Sequence, residues 1–175
     1  MTESPETLNT HAIKLASQGD YAEAIACFKR AISMEKSNHL LWYNLGITYR
    51  DSGDLPAAKQ ALLTAYNLDC EDQELLEGLS LVCFSLGEID DAFEFCSEGL
   101  ELNEENPYTW NNLGVLYFTR GEYDRACTAF EKAVSLYPHY YDALYNLRDT
   151  YEELGNKIGE KECTRLLTQM RGKGN

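Results

Sequence analysis

The sequence has no long apolar run and no recognisable export segment. Its longest stretch without a charged residue, Asn106 to Thr119, has 14 residues, which is too short to span a bilayer. The first ten residues, MTESPETLNT, have neither the basic start nor the apolar run of a secretory signal. We therefore expect a soluble, cytoplasmic protein without a membrane partner.

Basic residues are missing from the middle of the chain. Between Lys59 and Arg120 there is no lysine or arginine, whereas thirteen aspartates and glutamates fall in this interval and make up nearly the whole net charge of −14. Nucleic-acid partners are disfavoured, because phosphate binding needs the opposite sign. The acidic block fits either a solvated surface or a surface for a basic protein. Its helical stripe consists of Glu94, Glu98, Glu101 and Glu105.

Metal-site and catalytic motifs are also missing. The six cysteines are separated by 43, 13, 13, 31 and 36 residues, with no C-x-x-C pair and no histidine at metal-ligand spacing nearby. His11, His39 and His139 have no serine or cysteine nucleophile at a motif spacing, and no glycine-rich nucleotide loop is present. We expect no enzyme activity, no cofactor and no metal site, and we expect all six cysteines to be buried reduced thiols.

The sequence does contain a repeat. The segment WYNLGITYR at 42–50 returns as WNNLGVLYF at 110–118, 68 positions later, which is twice 34. The glycines that share this period are Gly19, Gly53, Gly87, Gly121 and Gly155. Five units fit the chain, at about 5–38, 39–72, 73–106, 107–140 and 141–174. We expect them to form one domain over residues 1–175.

Each unit predicts two helices. Apolar residues recur at helical spacing in 110–120 and again in 123–134, and Gly121 between them supplies the left-handed residue that commonly closes a helix. Pro56 and Pro107 fall where first-turn positions are expected. No stretch of alternating β-branched residues indicates a strand. The pattern predicts an all-α architecture of about ten antiparallel helices.

Small residues mark the predicted crossing of the two helices within a unit. Gly46 with Ala58, and Gly114 with Ala126, allow two backbones to approach closely. A pair of helices of this length cannot bury its apolar face alone, so the units must stack into a superhelix with a concave and a convex side.

The fifth unit departs from this pattern. Arg148 and Glu160 replace the small residues of the crossing. We expect these side chains either to pair across the crossing or to separate the helices, which would make this unit a polar terminal cap.

The repeat resembles a known family. The pattern W-x2-L-G-x2-Y, A-x3-F and a final P is found in the fourth unit as Trp110, Leu113, Gly114, Tyr117, Ala126, Phe130 and Pro138. The second unit follows it with Cys70 in place of the proline. Over residues 5 to about 170 the chain resembles the tetratricopeptide repeat (TPR) family. The resemblance implies an alpha-alpha superhelix, a TPR solenoid, whose fifth unit is a degenerate cap.

The resemblance also implies a protein–protein interaction module. Such an adaptor or scaffold binds a peptide segment of a partner in the concave groove, which the first helix of each unit lines. The candidate contacts are Tyr43, Asn44, Ile47, Leu81, Phe84, Tyr108, Asn111, Asn112, Val115, Phe118 and Asn146. The alternative is a dedicated chaperone of a secreted or aggregation-prone client protein.

Asparagines recur just before the Leu-Gly positions. Asn44, Asn112 and Asn146 resemble the asparagine ladder in the superhelix of O-linked N-acetylglucosamine transferases, where amides hold a peptide backbone. A primary amide both donates and accepts, so it suits any extended backbone, but it equally suits a hydrogen bond between neighbouring helices.

Some members of the family bind a C-terminal carboxylate in a clamp of basic residues and asparagines. That clamp would need basic residues where this chain has Glu74 and Gly78. We therefore do not expect a carboxylate ligand.

The last unit also suggests self-association. Five basic residues from Lys157 to Lys173 oppose the charge of the acidic block, and tyrosine is enriched at interfaces. The tyrosines near this unit are Tyr137, Tyr140, Tyr141, Tyr145 and Tyr151. Two interpretations stay open: weak head-to-tail contact between chains, and packing of these tyrosines in the repeat core and cap.

Overall fold

The computed structural model describes residues 3–172, in which it contains ten α-helices and no strand. The helices are α1 Pro5–Ser17, α2 Tyr21–Met34, α3 His39–Asp51, α4 Leu55–Leu68, α5 Gln73–Ser85, α6 Ile89–Leu102, α7 Pro107–Thr119, α8 Tyr123–Leu136, α9 Tyr141–Glu153 and α10 Lys157–Gly172. Two consecutive helices form each predicted unit. Residues 173 and 174 of the fifth unit lie outside the described residues. None of the helices in 3–172 is long and apolar enough to cross a membrane.

A glycine in the left-handed region closes the first helix of each unit. Gly19 has φ +86, its N–H bonds the carbonyl of Ala16, and the N–H of Asp20 bonds the carbonyl of Leu15, each at 3.0 Å. This pair of bonds is the Schellman motif, which satisfies carbonyls left open at a helix end. The four equivalent glycines have φ between +70 and +88. The predicted 34-residue period is therefore a repeated helix stop.

Side-chain caps and prolines fix where several helices begin. Asn106 Oδ1 accepts from the N–H of Tyr108 at 2.8 Å, and Pro107 is the first residue of α7. Asp54 Oδ1 accepts from the N–H of Ala57 at 3.1 Å, with Pro56 in the first turn of α4. Proline is tolerated there because the first N–H groups of a helix have no partner within it. Both first-turn predictions are confirmed.

The chain divides into two compact units, residues up to Ala92 and residues from Phe93. In the first compact unit a buried cluster around Phe28 joins α1, α2, α3 and α4. In the second compact unit a buried cluster around Phe130 joins α8, α9 and α10. That residues 1–175 act as one domain stays a prediction.

The predicted close crossings are confirmed at two glycines. A Cβ at Gly46 would lie 2.6 Å from Cγ of Leu62, and a Cβ at Gly114 would lie 2.5 Å from Cε1 of Phe130. Such distances are far inside van der Waals contact, so only glycine fits. The side chains that fill this space are Leu62 and Phe130, one helical turn beyond the alanines that the sequence suggested.

Of the two expectations for Arg148 and Glu160, pairing across the crossing is wrong. The guanidinium of Arg148 donates to Oδ1 of its neighbour Asp149, from Nε at 2.9 Å and from a terminal nitrogen at 2.6 Å. Glu160 instead accepts from Nζ of Lys157 at 2.9 Å. Arg148 and Glu160 therefore each bond a residue of their own helix. Such a bond costs less conformational entropy than a bond between two helices.

The last helix pair has a close contact at a different place. A Cβ at Gly159 would lie 2.6 Å from two atoms of the Tyr151 ring. The described part of α10 buries Cys163 and Leu167 and leaves most other side chains open to solvent. A polar outer face is what a terminal repeat requires.

The cysteines are free, as expected, but only half of them are buried. Cys83, Cys96 and Cys163 lie in the interior, Cys27 and Cys127 are half-buried, and Cys70 is exposed. The expectation of six buried thiols is therefore wrong for three of them. Cys70 lies in the connection between α4 and α5 and is exposed.

Candidate functional site

The predicted contact residues all lie on the first helix of a repeat. Those of the first compact unit are Tyr43, Asn44 and Ile47 on α3, with Leu81 and Phe84 on α5. Those of the second compact unit are Tyr108, Asn111, Asn112, Val115 and Phe118 on α7, with Asn146 on α9. Whether they contact a ligand stays a prediction, so each set is described by itself.

In the first compact unit, α3 and α5 bring an aromatic and an aliphatic side chain together over a glycine. A Cβ at Gly78 would lie 3.4 Å from Cδ1 of Ile47 and 3.9 Å from Cε2 of Tyr43. Leu81, one turn beyond Gly78, is 39% exposed, and Leu40, one turn before Tyr43, is 50% exposed. Apolar side chains therefore remain accessible on this part of the molecule.

Carboxylates dominate the electrostatics around the Tyr43 hydroxyl. Burial raises the pKa of Tyr43, and Glu74, Asp72 and Glu77 raise it further, with only Arg50 opposing them. The guanidinium of Arg50 bonds Oδ1 of its neighbour Asp51 at 3.0 and 2.8 Å. Carboxylates therefore outnumber cations around this hydroxyl.

Two of the ladder asparagines bond to a neighbouring repeat. Nδ2 of Asn44 donates to Oδ1 of Asn9 at 3.0 Å, and Nδ2 of Asn146 donates to Oδ1 of Asn111 at 3.0 Å. A hydrogen bond between helices is therefore present at Asn44 and Asn146, and whether these amides also contact a ligand stays a prediction. Asn9 was not among the candidates, although the 35-residue spacing shared by both pairs was a signal for it.

In the second compact unit, three predicted residues line one cleft. Val115, Phe118 and Asn146 surround a space of about 100 Å³. The remaining walls are Thr119, Phe130 and Asp149, and the sequence did not single out Thr119 or Asp149 as contacts. The cleft can take one apolar side chain, with polar groups at Asn146 and Asp149 along its edge.

Tyr108 lies apart from this cleft, in a group of aromatic rings. It is 47% exposed, and its ring packs edge-on against Tyr140 with centroids 5.1 Å apart. Asn111 is 6% exposed, so a ligand has little access to this predicted contact. Its role in the fold is to accept the bond from Asn146.

One cluster of possible metal ligands lies outside the predicted contacts. Cys83, Glu88 and Asp91 offer ligand atoms within 4.8 Å of one another. Nζ of Lys59 already donates to carboxylate oxygens of Glu88 and Asp91, and burial raises the pKa of Cys83 to about 11. A protonated thiol and a resident ammonium make this cluster an ion-pair network, since metal ligands must be deprotonated.

Comparison with known proteins decides the family. Models of the tetratricopeptide repeat match residues 9–70, 43–108 and 107–140. The chain belongs to the tetratricopeptide repeat family. Its helix pairs and 34-residue period are those of a TPR protein, as predicted.

Curated relatives match the chain at moderate identity. The SPINDLY protein of Hordeum vulgare, a probable UDP-N-acetylglucosamine–peptide N-acetylglucosaminyltransferase, is 29% identical over 73% of this chain and 14% of its own length. The anaphase-promoting complex subunit cut9 of Schizosaccharomyces pombe is 28% identical over 71% of this chain and 20% of its own. The photosystem I assembly protein Ycf3 of Prochlorococcus marinus is 28% identical over 67% of this chain and 77% of its own. The chain thus spans a small part of the first two relatives.

Solved structures confirm the all-α TPR fold. The crystal structure of MamA superposes with a TM-score of 0.82 at 25% identity, covering 93% of this chain and 95% of MamA. YrrB, a TPR protein with an unusual peptide-binding site, superposes with a TM-score of 0.73 at 22% identity, covering 95% of this chain and 86% of its own. TPR proteins as a class are scaffolds for protein interaction.

Proposed function

We propose that this TPR protein is an adaptor or scaffold that holds a segment of a partner protein on the first helices of its repeats. The observation that carries the proposal is the exposure of large apolar side chains there. Leu40, Leu81 and Tyr108 are 50%, 39% and 47% exposed. Accessible apolar groups among polar ones are typical of surfaces that bind protein segments.

The candidate contacts divide into two roles in this proposal. Apolar contact comes from Tyr43, Ile47, Leu81 and Phe84 in the first compact unit, and from Tyr108, Val115 and Phe118 in the second. Asn112, which is not part of either bonded asparagine pair, holds the backbone of the bound segment. Asn44, Asn111 and Asn146 support the surface by tying repeats together.

The related proteins support an interaction role. Cut9 is a subunit of a multiprotein complex, and YrrB has a peptide-binding site. The similarity to SPINDLY covers 14% of that protein, and we propose that this chain shares the repeat and not the transferase reaction. The proposal needs no cofactor, metal, nucleic acid or membrane, and the cytoplasmic location stays a prediction.

The proposal is tested by isolating partner proteins and then measuring their binding to variants of this chain. Proteins that co-purify with the tagged chain from its source cells are identified and then titrated against Phe84→Ala, Phe118→Ala and Asn112→Ala. Each variant should weaken binding roughly tenfold, because truncating a buried contact or a hydrogen-bonding group costs about 1–2 kcal/mol. Circular dichroism serves as the folding control.

A matched variant tests the acidic stripe of α6. Glu94→Gln with Glu101→Gln removes two charges from the acidic stripe of α6, where both side chains are exposed. It should leave binding unchanged. If it abolishes binding while the three contact variants bind normally, the acidic stripe is the site and the proposal is wrong.

Ycf3 supports a second candidate function, that of a chaperone. That relative is an assembly protein, and this chain spans 77% of its length, so a whole protein of similar size has a role in assembly. Partner identity separates the candidates. A single abundant client whose aggregation, measured by light scattering, increases when the chain is absent indicates a chaperone. Subunits of a stable complex indicate an adaptor.

Weak self-association is also proposed for the second compact unit. Tyr137 stacks on Tyr140 with centroids 5.9 Å apart, and Arg171 donates to the hydroxyl of Tyr141, so part of the tyrosine group is packed within the chain. Tyr137 and Tyr145 remain 42% and 41% exposed. Of the basic residues involved, Lys173 lies outside the described residues. Sedimentation in low salt should show a concentration-dependent rise in mass, and a monomer throughout contradicts the proposal.

A further inference from the structure

The first compact unit has an apolar surface formed by one stripe of α3 and one stripe of α5. Leu40, Tyr43 and Ile47 are spaced i, i+3 and i+7 and therefore lie on one side of α3. Leu81 and Phe84 share a side of α5, and Gly78 on that helix lies against Tyr43 and Ile47. We call the surface made by Leu40, Tyr43, Ile47, Leu81 and Phe84 the α3–α5 face.

Around the Tyr43 hydroxyl of this face, three carboxylates act against one cation. Glu74 and Glu77 precede Leu81 on the same stripe of α5 at i, i+3 and i+7, and Asp72 is the N-cap of that helix. All three carboxylates act on the Tyr43 hydroxyl in the same direction. The nearby cation, Arg50, is held by Asp51. An apolar centre with an acidic edge results.

We propose that the α3–α5 face selects a partner segment that combines apolar residues with lysine or arginine. The inference rests on the proposed function and adds the chemistry of the partner. Apolar side chains of the segment cover Ile47, Leu81 and Phe84. Its cations lie at the edge toward Glu74 and Glu77, within reach of the Tyr43 ring.

Charge complementarity is the reason for this choice of partner. A basic side chain can lay its aliphatic stem on apolar surface while its cation stays near carboxylates and water. The ring of Tyr43 adds a cation–π attraction. A segment rich in Asp or Glu, or a free C-terminal carboxylate, would meet like charge, which costs binding energy and suppresses wrong partners.

Gly78 shifts recognition toward side chains. It occupies the position that Asn44, Asn112 and Asn146 hold in other repeats, so this repeat has no side-chain amide there for a peptide backbone. Binding at the α3–α5 face therefore depends on what the side chains of the segment are. A face of this kind discriminates between sequences.

Short synthetic peptides provide the test on the full chain. Three fluorescein-labelled probes share the same leucine and valine positions and carry lysine, glutamine or glutamate at the others. A fourth has lysine but serine at the apolar positions. By fluorescence anisotropy, the apolar lysine probe should bind at least about tenfold more tightly than the other three. Its affinity should fall between about 50 mM and about 300 mM NaCl, because salt screens exposed charges.

Matched charge variants locate the interaction. Glu74→Gln with Glu77→Gln should weaken binding of the apolar lysine probe roughly three- to tenfold. Glu94→Gln with Glu101→Gln removes the same charge elsewhere and should change it less than about twofold. Tyr43→Ala should also weaken it.

Three outcomes overturn the inference. They are equal binding of the glutamine or glutamate probe, equal effects of the two charge pairs, and no binding of the apolar lysine probe. These results do not contradict the proposed function if natural partners still bind the Phe84→Ala variant more weakly. The proposed function is contradicted separately, if the affinity of those partners is the same for the natural protein and the contact variants.

Discussion

Asn44 and Asn9 are joined across two consecutive repeats by a hydrogen bond of 3.0 Å between their side-chain amides. The backbone carbonyl of Asn44 accepts from the hydroxyl of Thr48 at 2.7 Å. The same arrangement recurs with Asn111, Asn146 and Thr150, at the same two distances. Because a partly buried polar group is stabilised by a partner, we expect each pair to stabilise the stacking of one repeat on the next.

A double-mutant cycle on Asn9 and Asn44 should reveal their coupling. Each single change to alanine should lower the free energy of unfolding by about 1 kcal/mol, and the double change by less than the sum, since the second removes no further bond. Urea denaturation followed by circular dichroism measures this. Asn112→Ala, outside the bonded pairs, is the control and should cost less than about 0.5 kcal/mol. Strict additivity of Asn9 and Asn44 would contradict the bond.

Two glycines should respond in opposite ways to alanine. Gly114→Ala places a Cβ 2.5 Å from the ring of Phe130, which is 1% exposed and has no room to move. The free energy of unfolding should fall by about 1–2 kcal/mol, the overpacking cost less the gain in helix propensity. Gly78→Ala meets its nearest atom at 3.4 Å and should be neutral or stabilising by up to about 1 kcal/mol. Equal urea midpoints for the two variants would contradict the geometry.

The cysteines should differ in reactivity. Burial raises the pKa values of Cys83 and Cys163 to about 11, and with Glu131 it raises that of Cys127 to about 12. Near pH 8 these thiols are protonated and shielded, and the thiolate is the reactive form. Iodoacetamide should therefore modify the exposed Cys70 first, as read by peptide mass spectrometry. In urea all sites should react, and native labelling of Cys83 as fast as Cys70 would contradict the prediction.

Tyr151 should make stability depend on alkaline pH. Burial and its hydrogen bond to Oε1 of Glu131, at 2.6 Å, raise the pKa of Tyr151 above the ordinary value. The native state then holds this proton more tightly than the unfolded chain, so its contribution is complete below about pH 10 and declines as pH rises further. Tyr151→Phe should cost about 1 kcal/mol at pH 8.

Comparison of the natural protein with Tyr151→Phe separates the effect of the Tyr151 hydroxyl from that of other titrating groups. The difference in urea midpoint between the natural protein and Tyr151→Phe should shrink from pH 8 to pH 11. A difference that stays constant or grows would show that the proton on Tyr151 has no part in stability.

The repeat architecture could be predicted because its signals are local. A glycine every 34 residues, a helical period of apolar residues and a proline in a first turn each depend on a few neighbouring residues, and their backbone consequences do not depend on the rest of the fold. The five left-handed glycines and the first turns of α4 and α7 accordingly agree with the prediction. Family membership followed from the same residues.

What the sequence left open are choices between competing side-chain partners. The sequence was compatible with either a ligand backbone or a neighbouring helix as the partner of Asn44, and only the structure shows its 3.0 Å bond to Asn9. For Arg148 the sequence left open a bond to Glu160 across the crossing or a separation of the helices, and in the structure its guanidinium bonds Asp149 on its own helix. Cys70 and Cys83 were both expected to be buried, but Cys70 lies between two helices and is exposed, whereas Cys83 lies within α5 and is buried. Local backbone geometry is fixed by residues close in sequence, whereas partner choice and burial depend on distances that only the stacked helices define.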